Sequence, residues 1–325
     1  MRGIVLSGGS GTRLMPATAG ISKQMIPVYD KPMVYYALST LITAGIQNIV
    51  IITTTRDAEV FQAVLGDGAK FGVNLSYAQQ PRPGGLAEAF LLDGVGIANH
   101  DVALVLGDNI FSGPDLSRAL IPSPNNAGAT VFAIRVDDPS AFGVVEFDEA
   151  GTVISLEEKP AHPKSRFAVP GLYYFDAEVV ERAGGLERSA RGELEITDLN
   201  RTYLADGRLS VRVLPPGIAW FDTGTVENLH EASHYVRGVQ VHRGIPVGSP
   251  EYSAWKSGFL TKQEFEQRAE QLVKSAYGQL LLSCLEGGPE PGLLQGARAQ
   301  ERAAASVTER VLDALPSVVA HDSSR

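Results

Sequence analysis

The sequence predicts an α/β fold in which a mainly parallel sheet is covered by helices on both faces. Three observations support this prediction. Residues 4–6 form a short apolar run, as a buried strand requires. Through the first half of the chain, similar runs alternate with segments of helical spacing. A glycine-rich loop at residues 6–16, LSGGSGTRLMP, directly follows the first run, at the sheet edge where ligands of such folds bind.

The elements of the first half follow in order. The apolar runs predict strands at residues 48–54, 73–78 and 101–109. Helical spacing predicts helices at residues 31–45, 57–66 and 85–98. Pro32 suits a first helical turn, and Gly45 suits the position just after a helix end.

The second half of the chain is first rich in strands and then helical. Strands are predicted at residues 129–136, 143–160 and 167–176, and a turn signal within the second segment predicts an antiparallel hairpin. A helix at 193–207, a strand at 208–214 and a helix at 225–240 follow, and residues 259–286 are helical in pattern. Residues 286–292 are rich in turn formers, and residues 293–315 fit an amphipathic helix and a frayed tail equally well.

The composition excludes several classes of protein. Lys and Arg number 28 against 37 Asp and Glu, a net charge of −9, which argues against a nucleic-acid binder. Cys284 is the only cysteine, so neither a disulfide within the chain nor a cysteine-rich metal site is expected. The apolar runs are too short for a signal peptide or a membrane span. We therefore expect a cytoplasmic protein without a membrane or nucleic-acid partner.

The loop at residues 7–13 has the composition of a phosphate site. Its three glycines, Gly8, Gly9 and Gly11, let the backbone approach a bulky group, and Arg13 adds a forked cation. The loop lacks the Gly-Lys-Ser/Thr ending of a Walker A motif. It also lacks the third small residue of the dinucleotide fingerprint, since Leu14 stands there, which argues against a Rossmann dehydrogenase. The loop alone leaves a plain tight turn open.

The continuation of this loop, SGGSGTRLMPATAGISKQMIPVYDKPM, resembles the signature of the sugar nucleotidyltransferases. The matching residues are Gly8, Gly9, Gly11, Thr12, Arg13, Leu14, Pro16, Thr18, Ser22, Lys23, Gln24 and Pro27. Later segments, including LGDNIF at 106–111, LEEKP at 156–160, ARGELEITDLN at 190–200 and WFDTGT at 220–225, resemble those of the glucose-1-phosphate thymidylyltransferases. The resemblance covers roughly residues 1–285.

The resemblance implies a three-layer α/β/α nucleotidyltransferase fold, Rossmann-like, with a mixed, mainly parallel sheet and a β-rich sugar-binding insertion. It also implies the reaction: glucose 1-phosphate attacks the α-phosphorus of dTTP, pyrophosphate leaves, and dTDP-glucose enters deoxysugar synthesis such as that of dTDP-rhamnose. A phosphate monoester has a second pKa of about 6, so the nucleophile is already largely ionised. We therefore expect positioning and charge neutralisation rather than a general base.

The resemblance assigns residues to the nucleotide and to a metal. The nucleotide-binding set is Gly8, Gly9, Ser10, Gly11, Thr12, Arg13, Gln24, Gln80, Gly85 and Asp108. Arg13 and Lys23 are expected to act in catalysis by neutralising phosphate charge. Asp108 and Asp222 are expected to hold Mg²⁺ as the cofactor, because a hard octahedral ion suits two carboxylates with phosphate oxygens and water.

The sugar-phosphate side is assigned in the same way. Its residues are Asn109, Gly143, Glu158, Lys159, Val169 and Arg191. Glu158 is expected to accept hydrogen bonds from sugar hydroxyls, and Lys159 is expected to bind the sugar phosphate as a third catalytic residue.

The expected organisation follows from these assignments. Residues 1–240 form the catalytic domain, with the sugar-binding part at roughly 129–222. Residues 241–286 form a C-terminal helical region that offers an oligomer or regulatory surface, and 287–325 form a helical or disordered tail. The family implies a homotetramer. Two alternatives stay open. The first is a UTP-dependent enzyme that makes UDP-glucose, because a glutamine at position 80 suits thymine and uracil alike. The second is a nucleotide-sugar sensor that has the same fold but catalyses no reaction.

Overall fold

The computed structural model describes residues 1–9, 11–123 and 127–287. Its strands are β1 (Arg2–Ser7), β2 (Pro27–Val28), β3 (Lys31–Pro32), β4 (Asn48–Thr53), β5 (Asn74–Gln79), β6 (Val102–Leu106), β7 (Asn109–Ser112), β8 (Ala129–Arg135), β9 (Gly143–Phe147), β10 (Val153–Glu158), β11 (Phe167–Val169), β12 (Leu172–Phe175), β13 (Leu209–Val213) and β14 (Ala219–Asp222). Its α-helices are α1 (Met33–Thr43), α2 (Ala58–Leu65), α3 (Leu116–Leu120), α4 (Val179–Gly184), α5 (Ile196–Ala205), α6 (Val226–Arg243), α7 (Pro250–Lys256), α8 (Lys262–Gln271) and α9 (Ala276–Gly287).

The central sheet is mixed and mainly parallel, which confirms the predicted fold class. Its strand order is β10-β9-β11-β8-β12-β6-β1-β4-β5, and β13 pairs with β8 in parallel. The strands β5, β4, β1 and β6 run parallel, whereas β12 is antiparallel to both of its neighbours. The predicted hairpin is the antiparallel pair of β9 and β10. The first strand is therefore an interior strand of the parallel part of the sheet, between β6 and β4, and the loop after it opens at the carboxyl edge.

Alternate residues of the central strands pack into different apolar cores. On β1, Val5 belongs to the core formed with α1, α2 and the C-terminal helices. Its neighbours Ile4 and Leu6 belong to the core that lies under α4 and α5. This alternation is the two-residue period of a strand that is buried on both faces. The helices therefore form layers on both sides of the sheet, as predicted.

One predicted helix was wrong. Residues 85–98 form only a short 3₁₀ turn at Ala87–Phe90. Gly85, Gly94 and Gly96 have φ values of 100°, 80° and 61°, which an α-helix does not allow. The apolar spacing that suggested a helix instead reflects single buried side chains of an irregular segment, such as Val95 and Ile97.

Two further boundaries differ from the predictions. The predicted strand at 101–109 ends at Leu106, because the chain turns at Gly107 and Asp108 before β7 begins. The helical pattern of 259–286 is interrupted between α8 and α9. No helix in the described part of the chain is long and apolar enough to cross a membrane. The predicted tail lies outside the described residues, apart from Gly287 at the end of α9.

Candidate active site

The glycine loop after β1 forms one wall of a cavity. The cavity has a volume of about 180 Å³ and is lined by Gly9, Gly11, Thr12, Arg13, Lys23 and Gly224. A Cβ on Gly9 would lie 3.6 Å from Cε of Lys23, and one on Gly8 would lie 2.7 Å from Oε1 of Gln80. Glycine at these positions lets the backbone approach Lys23 and Gln80 closely, and a backbone free of side chains is what an anion cradle requires. Ser10, predicted to be part of this cradle, lies outside the described residues.

Two cations face this cavity from different segments. Arg13 follows the loop in a 3₁₀ turn, and its Nη2 would lie 2.8 Å from a Cβ on Gly224, so the guanidinium lies against the chain just after β14. Lys23 begins the next 3₁₀ turn, and its ammonium forms an ion pair with Asp108. The cavity therefore combines open amides, a forked donor and a point charge, which together suit a polyphosphate.

Two carboxylates from distant parts of the sequence meet beside the cations. Asp108 lies in the turn after β6, and Asp222 ends β14, which pairs with β7 in a separate two-stranded ladder. The register places Asp222 opposite Asn109, and the Thr223 amide donates to the Asp108 carbonyl at 3.0 Å. A ladder therefore brings together two acids that are 114 residues apart in sequence.

The electrostatics of this acidic pair are unusual for a purely structural site. Burial, and then the nearby charge of Asp108, raise the pKa of Asp222 above its ordinary value, although Lys23 and Arg13 oppose the shift. Two carboxylates that face each other in a partly buried site are relieved by a shared cation. Within the described residues no cluster of three or more acidic, histidine or cysteine side chains could hold a metal. A Mg²⁺ ion held here by Asp108 and Asp222 would need oxygen ligands from the substrate and water, which is its usual behaviour in phosphate enzymes.

Gln80 and Gly85, two of the predicted nucleotide-binding residues, lie on the other side of the glycine loop. Gln80, which is 5% exposed, donates through Nε2 to the Gly85 carbonyl at 3.3 Å and to Glu88 at 2.9 Å. Gly85 has a φ of 100°, and a Cβ there would lie 2.3 Å from the carbonyl oxygen of Leu194. Gln24 is buried behind the site, where the Ser22 hydroxyl donates to its amide oxygen at 2.6 Å.

Three of the six predicted sugar-side residues, Glu158, Lys159 and Arg191, line a second cleft. Its volume is about 650 Å³, and it is lined by Glu157, Glu158, Lys159, Pro160, Ser189, Ala190, Arg191, Glu195, Asp198 and Arg201. Gly143 pairs with Glu158 on β10 and with Val169 on β11, so these three residues are neighbours across the sheet. The Thr197 hydroxyl donates to Glu158 at 2.6 Å.

The three remaining sugar-side residues already have partners within the protein. Lys159 adopts a φ of 44° and lies 3.5 Å from Glu158, while Arg191 is bound by Glu195 at 2.9 Å. Asn109 accepts hydrogen bonds from the Gly171 amide and the Trp220 indole and donates to Asp108. In the structure Asn109 therefore supports the acidic pair, a contact that the sequence pattern did not indicate.

Two charged residues beside the base pocket were missed by the sequence analysis as site residues. Glu88 binds Gln80, and Arg188 binds Glu88 through Nη2 at 3.0 Å. Glu88 lies in the segment QQPRPGGLAEAF at residues 79–90, whereas Arg188 is 100 residues further along the chain. Only the folded contact between the two loops identifies the pair.

Comparisons with known proteins agree with this geometry. Residues 2–238 match the nucleotidyl transferase family model. The glucose-1-phosphate thymidylyltransferase of Mycolicibacterium smegmatis is 55% identical over 286 residues, which are 88% of this chain and 99% of that protein.

Two solved structures are also similar. One from Bacillus anthracis, described as a candidate glucose-1-phosphate thymidylyltransferase in complex with sucrose, has a TM-score of 0.68 and 39% identity over 73% of this chain and 95% of that one. A UDP-glucose pyrophosphorylase bound to UDP-glucose has a TM-score of 0.64 at 24% identity, covering 72% of this chain and 97% of that one. The second likeness concerns the fold alone.

Proposed function

This chain belongs to the glucose-1-phosphate thymidylyltransferases, within the nucleotidyl transferase family, and we propose that it transfers a thymidylyl group from dTTP to α-D-glucose 1-phosphate. The products are dTDP-glucose and pyrophosphate. The observation that carries the proposal is the meeting of Arg13, Lys23, Asp108 and Asp222 at one glycine-walled cavity. The two cations can neutralise phosphate charge, and the two carboxylates beside them can bind a divalent metal ion, which together are what transfer of a nucleotidyl group requires.

The nucleotide triphosphate would lie on the glycine loop. The amides of Gly8, Gly9 and Gly11 would donate to its oxygens, and Arg13 would bind the pyrophosphate as it leaves. Lys23 would exchange part of its contact with Asp108 for phosphate oxygens, which would bring its charge to the reacting phosphorus. These residues hold the phosphates in line and offset the repulsion between two anions.

We assign the two acids to Mg²⁺ as the cofactor. Asp108 and Asp222 would hold the ion, and the support is their hard oxygen donors and the raised pKa of Asp222, which burial and the Asp108 charge produce. When bound, the ion would supply charge neutralisation between the phosphates.

The sugar phosphate would enter from the second cleft. Glu158 would accept hydrogen bonds from sugar hydroxyls, oriented by Thr197, with Gly143 and Val169 forming the floor. Lys159 and Arg191 would bind the phosphate. Both cations are more than half exposed, so they can leave their carboxylate partners at small cost.

The proposal extends to the setting of the enzyme. We assign it to the cytoplasm as a homotetramer, on the family resemblance.

One assay tests the central proposal. Pyrophosphate release is measured from purified protein with glucose 1-phosphate, Mg²⁺ and either dTTP or UTP. We expect preference for dTTP, and Asp108→Ala should lower the rate at least about a hundredfold because it removes a metal ligand. Asp115→Ala is the matched control, since Asp115 is exposed and makes no capping hydrogen bond from its side chain.

The other outcomes separate the alternatives. Preference for UTP would keep the mechanism and make the chain a uridylyltransferase. Absence of turnover with both nucleotides, with tight nucleotide binding retained, would support the non-catalytic sensor.

A further inference from the structure

We propose that Thr223 is a positioning residue, whose hydroxyl sets the separation of the two acids of the site by holding the backbone of Asp108 beside Asp222. The inference rests on the proposed function, in that the two acids are taken to share a divalent ion. It goes beyond that function, because Thr223 does not line the cavity and carries none of the roles assigned above.

Thr223 donates two hydrogen bonds to one acceptor. Its amide donates to the Asp108 carbonyl at 3.0 Å, and its hydroxyl donates to the same oxygen at 2.7 Å. Sδ of Met33 lies 3.2 Å from the hydroxyl oxygen, but a hydroxyl has one proton and a thioether is a weak acceptor, so the carbonyl receives the proton. Thr223 is fully buried, so bulk water does not compete for either bond.

The ladder that carries Thr223 explains why the amide bond alone is a weak restraint. That bond extends the pairing of β7 with β14, in which Asp222 lies opposite Asn109. The ladder is separate from the main sheet, and two paired strands have little stability of their own. The charges of Asp108 and Asp222 repel each other, which favours separation of the strands at this end. The hydroxyl therefore adds a second bond at the point where the repulsion acts.

Other contacts orient each carboxylate within its own segment. Asn109 donates through Nδ2 to Oδ1 of Asp108 at 3.0 Å. The Gly224 amide donates to Oδ1 of Asp222 at 3.0 Å. Thr223, by contrast, joins the two segments, because it is covalently bonded to Asp222 and hydrogen bonded twice to Asp108. Its hydroxyl therefore acts on the distance between the acids rather than on the direction of either one.

The consequence for a divalent ion is a pair of ligands at a fixed separation. Mg²⁺ requires near-ideal octahedral geometry, so it tolerates little change in the distance between two protein ligands. Partners that hold metal ligands in place without touching the metal typically contribute about 10- to 100-fold to metal affinity or activity. Loss of the Thr223 hydroxyl should therefore weaken binding of the ion although both carboxylates are still present.

The test measures metal binding without turnover. Mn²⁺ is the probe, because it prefers the same oxygen ligands as Mg²⁺, and electron paramagnetic resonance measures its free form. The titrations contain no nucleotide, so they do not depend on which substrate the protein uses. Thr223→Val removes the hydroxyl but keeps the shape and the amide bond, and we expect the Kd for Mn²⁺ to rise about tenfold or more. Thr223→Ser keeps a hydroxyl and should bind Mn²⁺ nearly as tightly as the wild type.

Two controls separate positioning from the loss of any buried hydroxyl. Thr40→Val is the matched substitution, because Thr40 is also buried and its hydroxyl donates to the Tyr36 carbonyl at 2.9 Å within α1. It should leave the Kd for Mn²⁺ unchanged even if it lowers the melting temperature. Asp222→Asn is the positive control, because it removes one of the two acids.

The outcomes distinguish a positioning role from a structural one. An unchanged Kd in Thr223→Val, or equal losses in Thr223→Val and Thr40→Val, would overturn the proposal. A loss in Thr223→Ser as large as that in Thr223→Val would assign the effect to the methyl group and would also overturn it. If Thr223→Val does not fold, Thr223→Ala removes the same hydroxyl without placing a methyl group against the carbonyl. We expect the Kd to rise in that variant as well, and no rise would contradict the proposal.

Metal binding and pyrophosphate release together keep this inference separate from the proposed function. If the wild type is inactive but Thr223→Val weakens Mn²⁺ binding, the catalytic assignment fails and the positioning role stands. If the wild type is active and Asp222→Asn weakens Mn²⁺ binding but Thr223→Val does not, the positioning role fails and the proposed function stands. If Asp222→Asn binds Mn²⁺ as the wild type does, the metal assignment fails, and the positioning role fails with it.

Discussion

Among single residues, Asp222 shows how a residue of the candidate site lowers the stability of the fold. Its carboxylate is partly buried near Asp108, and both conditions raise its pKa above the ordinary value. A carboxyl with a raised pKa in the folded state favours folding in its protonated form, so its contribution to stability falls as pH rises through that pKa. At a pH above that raised pKa, the ionised Asp222 therefore destabilises the fold.

Asp222→Asn should consequently raise the melting temperature and abolish activity. The uncharged amide removes the repulsion, and its oxygen can still accept the hydrogen bond from the Gly224 amide. We expect a rise of about 2 °C without Mg²⁺ at neutral pH, measured by calorimetry, and a loss of turnover of about a hundredfold. The rise should shrink at acid pH, where the wild-type carboxyl is protonated; a lower melting temperature at neutral pH would contradict this account.

From the residues themselves, site residues could be predicted only where they belong to a local sequence motif. Arg13 and Lys23 were found because they stand at fixed spacings after the glycine loop, and both line the cavity. Glu88 and Arg188 were missed because their contact forms only when two loops meet. Asp108 and Asp222 were joined by resemblance alone, since their separation in sequence says nothing about the ladder that pairs them.

Among the elements, the C-terminal helices depend on a buried polar contact. The Tyr277 hydroxyl on α9 lies 2.5 Å from Oε2 of Glu251 on α7 and 2.7 Å from Oγ of Ser249. Burial raises the pKa of Glu251. A buried carboxyl that loses its hydrogen-bond donor still carries the full free-energy cost of desolvation. Loss of the Tyr277 hydroxyl should therefore destabilise the fold by more than the net value of an ordinary hydrogen bond.

Tyr277→Phe should lower the free energy of unfolding by about 1–3 kcal/mol. The phenyl ring keeps the packing of α9 but leaves Glu251 without this hydroxyl, and chemical denaturation measures the change. Tyr252→Phe is the control, because the Tyr252 hydroxyl makes no hydrogen bond within the described residues. Equal effects of the two substitutions would argue against a special role for the contact.

Elements with one clear period were predicted well, and elements set by long-range contacts were not. The buried strands β1, β4 and β6 and the helix α1 follow from their apolar patterns and caps. The segment 85–98 was wrong because its apolar residues are buried individually, between glycines that break a helix. Periodicity reports burial, and a compact loop can bury side chains at helical intervals without forming a helix.

For the whole molecule, the described structure ends at about the same residue count as the alignment with its relatives. The alignment with the Mycolicibacterium protein covers 286 residues, and the last described helix, α9, ends at Gly287. The cavity and the cleft are both lined by residues before that point. The strand order of the sheet, by contrast, could not be derived from the sequence pattern, because it depends on which strands meet in space.

A chain that ends after Gly287 should therefore keep its activity. We expect kcat and KM within about twofold of the full chain and an unchanged melting temperature, since the described cavity and cleft are lined by residues before that point. Ending the chain before Ala276 is the contrasting variant, because it also removes Tyr277 and should destabilise the fold. Loss of turnover by the first variant at unchanged stability would show that residues 288–325 take part in the reaction.

The small ladder of β7 and β14 has an evolutionary consequence. It is separate from the main sheet, and with the hydrogen bonds from Thr223 to the Asp108 carbonyl it sets Asp222 beside Asp108. Insertion or deletion of one residue within β14 would turn Asp222 to the opposite face, since side chains alternate along a strand. The main sheet would keep its strand pairing, but the same shift would also turn Trp220 and Phe221, which pack against apolar cores. A lineage of this fold can thus lose its acidic pair in a single genetic step while the strand order of its main sheet stays the same.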